Sequence, residues 1–244
     1  MRLLVASWRL ASAVTHLLHG TVICAVVFPF IGHDKRREHV GRWSARMLRR
    51  LGIELISRGA PRTGATLVVA NHVSWLDILA INAVSPARFV SKSDVRAWPL
   101  IGWLVACGGT LFIERERKRD ALRVVHQVAA ALQEGHIIAV FPEGTTSEGH
   151  GLLPFHANLL QAAVSTGTPV QAVALRFSDA QQRVSLAAAY VGDTHLLRSV
   201  WSVVTASQMR AQLHWLSPVD SQGADRRLLS DALKDQLQAV LNVM

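Results

Sequence analysis

The sequence predicts an α/β domain with a mainly parallel central sheet flanked by helices, preceded by an amino-terminal membrane-associating helical element. From residue 59 onward, short apolar runs alternate with longer segments of helical period. That is the pattern of strands buried on both faces and joined by crossover helices. Before it, Leu10 to Gly32 contains no Asp, Glu, Lys or Arg, and a bilayer core takes roughly 20 apolar residues to cross. The expected division is therefore residues 1–58 as the membrane-associated element and 59–244 as the α/β domain. Composition agrees: half of the 244 residues are hydrophobic and only 18% are charged, against about 25% in ordinary soluble domains.

The uncharged stretch is interrupted by His16, His19, Gly20 and Pro29, and Asp34, Lys35, Arg36 and Arg37 come directly after it. Arg42, Arg46, Arg49 and Arg50 then recur at helical spacing. A basic cluster beside an apolar helix is drawn to anionic headgroups. Two arrangements fit: a single span, or a monotopic pair of helices with one sunk into a leaflet and one on its basic surface. A signal peptide fits poorly, because no small-residue cleavage site closes the apolar run.

In the domain, Thr66–Ala70 reads as a buried strand, Trp75–Val84 as a helix and Ala87–Ser91 as a strand. Pro99–Cys107 is expected to be helical until Gly108-Gly109 breaks it, and Thr110–Ile113 to be a strand. Asp120–Gln133 has helical period and Gly135 stops it, His136–Phe141 is a strand, Phe155–Thr166 a helix and Pro169–Phe177 a strand. The tail adds strand candidates at Arg183–Val191 and Met209–Leu216 and helical segments near Leu196–Val204 and Asp225–Val243.

The net charge of +9 favours anionic partners. No basic stripe interleaved with aromatics, helix-turn-helix or zinc-finger pattern is present, which argues against nucleic acid. Cys24 and Cys107 are the only cysteines. They make neither a disulfide framework nor a metal-ligand spacing, so a reducing, cytosol-facing location and no metal are expected.

The chemistry-bearing segment is Asn71-His72-Val73-Ser74-Trp75-Leu76-Asp77. His72 and Asp77 are five positions apart, which on a regular helix turns the side chains about 140° apart. For the two to meet, His72 must precede the helix. Ser74-x-x-Asp77 has the form of a capping box, with Ser74 as N-cap and Asp77 in the first turn. A histidine held by a carboxylate keeps one ring nitrogen protonated and frees the other as a base. The same residues are equally what a capped helix and a polar turn require.

Three further segments accompany the pair: Gly109-Thr110-Leu111-Phe112-Ile113-Glu114-Arg115, Phe141-Pro142-Glu143-Gly144-Thr145 and Thr168-Pro169-Val170. In this order and spacing, over roughly residues 60–180, the four resemble the glycerolipid acyltransferases, and in particular the bacterial 1-acyl-glycerol-3-phosphate acyltransferases. The resemblance implies a catalytic pair at His72 and Asp77 and a phosphate ligand at Arg115. It also implies an acceptor site shaped by Glu143, Gly144 and Thr145, with Lys92 as a further phosphate contact. One departure stands out: where many members continue Gly-Thr-Arg, this chain reads Gly144-Thr145-Thr146, which removes a bidentate phosphate grip.

The activity implied by the resemblance is acyl transfer from acyl-CoA or acyl-ACP to the hydroxyl of a lyso-lipid, with no cofactor and no metal. The implied acceptor is 1-acyl-sn-glycerol-3-phosphate, or another lyso-lipid such as a lyso-ornithine lipid. The implied location is the cytoplasmic face of a bacterial inner membrane with an anionic surface. A thioesterase-like hydrolase and a non-catalytic lipid-binding protein are the rival readings.

Overall fold

The computed structural model describes residues 2–113 and 118–244. A seven-stranded sheet runs in the order β1 (Ile53–Arg58), β7 (Met209–Trp215), β6 (Val170–Ser178), β2 (Thr66–Ala70), β5 (Ile137–Val140), β3 (Arg88–Lys92), β4 (Leu111–Ile113). From β6 to β4 every neighbouring pair is parallel. β7 runs antiparallel to β6, and β1 parallel to β7. The central strands β2, β5 and β6 are mostly apolar and are buried at every position but Ser178, because helices cover both faces. Val68, Ala70, Ala139 and Leu175 face α1 (Arg2–Val22), α2 (His33–Leu51), α3 (Leu76–Val84) and α7 (Leu196–Thr205). Leu67, Val69, Ile138 and Ala174 face α5 (Lys118–Gln133), α6 (Leu160–Thr166) and α8 (Arg226–Val243).

Two assignments change. Ile53–Arg58, expected in the amino-terminal helical element, is the edge strand β1. Gly52 ends α2 with φ +81°, a conformation glycine adopts without strain, and sends the chain into register with β7. Arg183–Val191, expected to be a strand, is a run of turns instead. Both edges of β6 are already occupied, by β2 and β7, so the segment after it has no ladder to join. It doubles back, Ser185 N–H donating to Phe177 and Tyr190 N–H to the carbonyl of Val73.

The amino-terminal element is helical from Arg2 to Phe30: α1, then a π-helical turn at Ile23–Val27 and a 3₁₀ turn at Phe28–Phe30. It is long and apolar enough to cross a membrane, with a mean hydropathy of 1.8. It starts before Leu10 because Arg9, the charge that bounds the apolar stretch in the sequence, is turned inward. The Arg9 guanidinium donates to Val204 and Ala206 carbonyls at 3.1 and 2.9 Å, neutralising the carbonyl end of α7. It lies flat on Gly52, where a Cβ would fall 2.2 Å from its Cζ.

One face of α1, at Ala6, Ala13, His16 and Gly20, is buried. His16 Nε2 donates to the Trp43 carbonyl and Trp43 Nε1 to the His16 carbonyl, each at 3.1 Å, and the two rings stack at 5.2 Å. Gly20 admits this contact, since a Cβ there would meet Trp43 Nε1 at 2.5 Å. The opposite face exposes Leu4, Trp8, Val14, Leu18, Val22, Val26 and Phe30.

The end of this element meets α4 (Ile101–Cys107) across a cavity of ≈ 330 Å³ lined by Cys24, Phe28, Pro29, Arg36, Trp103 and Cys107. A short bis-methanethiosulfonate reagent should therefore link Cys24 to Cys107 within one chain. Gly20→Leu should cost about 1–3 kcal/mol through overpacking and lower both the melting temperature and the yield of that link. Unchanged melting with full linkage would contradict this packing.

Candidate active site

β2 and β5 are adjacent and parallel, with Val69 opposite Val140. The segments leaving their carboxyl ends therefore emerge side by side, where open parallel sheets place their ligand sites. One of these segments begins at Asn71 and the other at Phe141. Asn71 prolongs the β2–β6 pairing by one residue: its Oδ1 accepts from Leu175 N–H and its Nδ2 donates to Leu175 carbonyl, both at 2.8 Å. The chain then turns, which puts His72 ahead of α3.

Asp77 lies in the first turn of α3 and is fully buried. Its Oδ2 accepts three hydrogen bonds: from Val73 N–H at 2.7 Å, from Ser74 N–H at 2.9 Å and from His72 Nδ1 at 2.7 Å. The positive end of the helix dipole favours a carboxylate at that place. The expected box is thus half formed. The carboxylate reaches back onto the turn, but the Ser74 hydroxyl has no hydrogen-bond partner among the described residues and does not cap the helix. The N-cap is Trp75, so Ser74 lies one residue too early to cap.

With Asp77 accepting at Nδ1, the His72 imidazole carries its proton there and Nε2 is left as the acceptor. The ring stacks on Phe141 with centroids 3.9 Å apart and planes 10° from parallel. Its side chain keeps 19% exposure, enough for a substrate hydroxyl to approach.

Glu143 is nearly buried, and both its oxygens are occupied by backbone donors: Oε1 by His72 N–H at 2.7 Å and Oε2 by Leu153 N–H at 2.9 Å. Burial pushes its carboxyl above the usual glutamate range, against the pull of those two N–H groups and of His72. Ser147 N–H donates to the His72 carbonyl at 2.9 Å. The loop after β5 thus grips His72 at both its N–H and its carbonyl. Gly144 makes the sharp turn that allows this, with φ +71°.

Of the remaining expected residues, Thr145 is exposed beside this turn, and Lys92 is exposed at the last position of β3, on the same carboxyl rim. Arg115 lies outside the described residues, two positions past the end of β4. Thr146, in the place of the arginine common in the resembling family, donates its hydroxyl to the Tyr190 carbonyl.

Asn71 and Phe141 stand inside their motifs without a separate signal of their own, and Ser147 lies just past the Phe141–Thr145 segment, where no motif marks it. Tyr190, and Ser199 in α7, which accepts from Trp75 Nε1 at 3.0 Å, lie in a region without any motif. Among the described residues no group of three or more His, Cys, Asp or Glu is placed to hold a metal.

A carboxylate-held imidazole at the rim of a parallel sheet, beside a buried glutamate that fixes its backbone, has the geometry a general base needs toward an incoming hydroxyl. The chain belongs to the acyltransferase family, whose family model matches residues 53–176. It is 37% identical over 193 residues, 78% of this chain and 75% of the relative, to the 1-acyl-sn-glycerol-3-phosphate acyltransferase of Neisseria gonorrhoeae. It is 38% identical over 205 residues, 82% of this chain and 76% of the relative, to the lyso-ornithine lipid O-acyltransferase of Pseudomonas aeruginosa. In fold it is similar to the crystal structure of the 1-acyl-sn-glycerophosphate acyltransferase PlsC from Thermotoga maritima. The TM-score is 0.74 at 20% identity, over 99% of this chain and 97% of that one.

Glu143→Gln tests the grip on His72. Both partners of the carboxylate are donors, so an amide must set one N–H against another. Leaving a buried donor unpaired costs about 1–3 kcal/mol, so kcat should fall about tenfold or more with KM nearly unchanged. Because the folded-state pKa is raised above the unfolded reference of 4.5, this group favours folding most at low pH. That contribution fades as pH rises from the reference toward the folded value. The glutamine variant should lack this component when unfolding is followed across that window, whereas an unaltered profile would remove the burial argument.

Proposed function

We propose that the protein transfers an acyl group from an acyl thioester, acyl-CoA or acyl-ACP, to the free hydroxyl of 1-acyl-sn-glycerol-3-phosphate, giving phosphatidic acid. The observation that carries the reading is the His72 Nδ1–Asp77 contact of 2.7 Å, which leaves Nε2 as the base. Nε2 takes the hydroxyl proton as the oxygen attacks the thioester carbonyl. Asp77 steadies the resulting imidazolium. Collapse of the tetrahedral adduct expels the thiolate, which takes the proton back from His72. The thiol is a good leaving group, so no acyl-enzyme is required. Arg115 and Lys92 hold the acceptor phosphate, while Gly144 and Thr145, set in place by Glu143, border the acceptor.

The acceptor resides in a leaflet, and the apolar face of α1 brings the site to it. Lys35, Arg42, Arg46, Arg49 and Arg50 are exposed along α2, each adding about 1 kcal/mol near an anionic surface. We place the protein at the cytoplasmic face of a bacterial inner membrane, with α1 lying in one leaflet, because its inner face is packed against α2 and α7 rather than free for lipid.

Thr146 favours a second acceptor. With its hydroxyl engaged by the Tyr190 carbonyl and no guanidinium at that place, a lyso-aminolipid of the lyso-ornithine kind fits the rim without a phosphate monoester to grip. The test is purified protein with labelled acyl thioester and a panel of lyso-lipids. Acylated 1-acyl-glycerol-3-phosphate supports the first reading, acylated lyso-ornithine lipid the second, and release of free fatty acid alone contradicts both. His72→Ala should lower transfer by about 10²–10⁴-fold, and near wild-type transfer would refute the assignment.

A further inference from the structure

A short helical flap links β3 to β4 above the carboxyl rim: a 3₁₀ turn at Ser93–Ala97, then α4. Between them Leu100 takes φ +61° and ψ −50°, a strained conformation for a leucine. The flap leaves Trp98, Leu100 and Trp103 partly exposed, at 36, 37 and 42%. On one side, Trp103 and Cys107 meet the end of the amino-terminal element at Cys24, Phe28 and Pro29. On the other, Trp98, Pro99 and Ile101 face Tyr190, Thr194 and Leu196 across a cleft of ≈ 300 Å³.

One wall of that cleft is hydrogen-bonded to the segment that carries the catalytic pair. Its wall residue Tyr190 donates its N–H to the carbonyl of Val73, the residue after His72, and accepts from Thr146. α7 starts at the same wall. Its inner face is buried at Ser199, Val203 and Val204, and its outer face carries Leu197, 85% exposed, and Trp201, 43% exposed, one helical turn apart. At its far end α7 is tied to α1 by Arg9. α1, α4 and α7 are therefore neighbours: α1 packs on α7, its end packs on α4, and α4 faces α7 over the cleft.

We propose that α4 and α7 form a second lipid contact, in which Trp98, Trp103, Leu197 and Trp201 enter the same leaflet as α1. The cleft between Trp98 and Leu196 is then the lateral gate through which the lyso-lipid acceptor reaches His72. The occupant is a lipid leaflet because these helices adjoin α1, whose exposed face is apolar, and carry exposed tryptophans, which settle at the membrane–water boundary, and because the cations of α2 add attraction to anionic headgroups. The gate rests on the transferase reading given above, whereas the lipid contact does not.

The test uses full-length protein with vesicles of phosphatidylethanolamine and phosphatidylglycerol, and two acceptors, a long-chain lyso-lipid in the vesicles and a water-soluble short-chain analogue. Leu197 and Trp201 lie outside the cleft lining. Leu197→Glu with Trp201→Glu should weaken vesicle binding by about tenfold or more. The same pair should depress turnover of the long-chain acceptor in proportion, with soluble-acceptor turnover and melting temperature in detergent kept. Leu197→Ala with Trp201→Ala, milder changes, should show the same pattern to a smaller degree. Unchanged vesicle binding in both pairs overturns the contact. Equal loss with both acceptors overturns the gate, since it marks damage to the fold or a protein-docking surface. A wild-type protein that acylates neither acceptor refutes the transferase reading, and vesicle binding still decides the lipid contact.

Discussion

One oxygen atom organises the carboxyl rim of the sheet around His72. Oδ2 of Asp77 accepts from the backbone at Val73 and Ser74 and from the ring of His72. The two backbone bonds hold the turn that lifts His72 off the start of α3. The third selects the tautomer and aims Nε2 outward. A carboxylate without such donors would be costly to bury. Here the helix start supplies the donors and a favourable dipole, so fold and reactivity depend on the same contact.

The sheet makes that contact reproducible. β2 and β5 run parallel in fixed register and deliver Asn71 and Phe141 to the same rim. Asn71 ties the first segment to β6, and Glu143 and Ser147 tie the second to the His72 backbone. Phe141 then closes over the imidazole face. The amino-terminal element is linked to the same site through α7. Arg9 of α1 holds one end of α7, and Ser199 within it holds Trp75, three residues after His72. The apolar amino-terminal element and the proposed His72–Asp77 pair are thus connected by packed, hydrogen-bonded elements.

Much of this was legible in the sequence because it is local. The strands at Thr66–Ala70 and His136–Phe141 carry the apolar runs Leu67–Ala70 and Ile137–Phe141, and the spacing of His72 and Asp77 requires His72 to leave the helix if the two are to meet. Non-local features were hidden. In the sequence Arg9 breaks an apolar stretch, and only the position of α7 shows where its charge goes. Ile53–Arg58 depends on a partner, β7, more than 150 residues away. Arg183–Val191 has the composition of a strand, but both edges of β6, the strand it follows, are taken by β2 and β7. Ser74 fits the capping pattern, yet the helix starts one residue later, with Trp75 as its N-cap. Thr146 was visible as a departure, while its bond to Tyr190 was not, because no motif marks the carboxy-terminal third.

The most direct measurement is kcat/KM of Asp77→Asn with a soluble acyl thioester and acceptor, alongside near-ultraviolet circular dichroism to verify the fold. An asparagine can still accept from the turn, but its amide no longer enforces the His72 tautomer or stabilises the imidazolium. The expected result is a native spectrum with activity lower by about 10³–10⁴-fold. A native spectrum with activity within tenfold of the unsubstituted protein would contradict the role assigned to the His72–Asp77 contact.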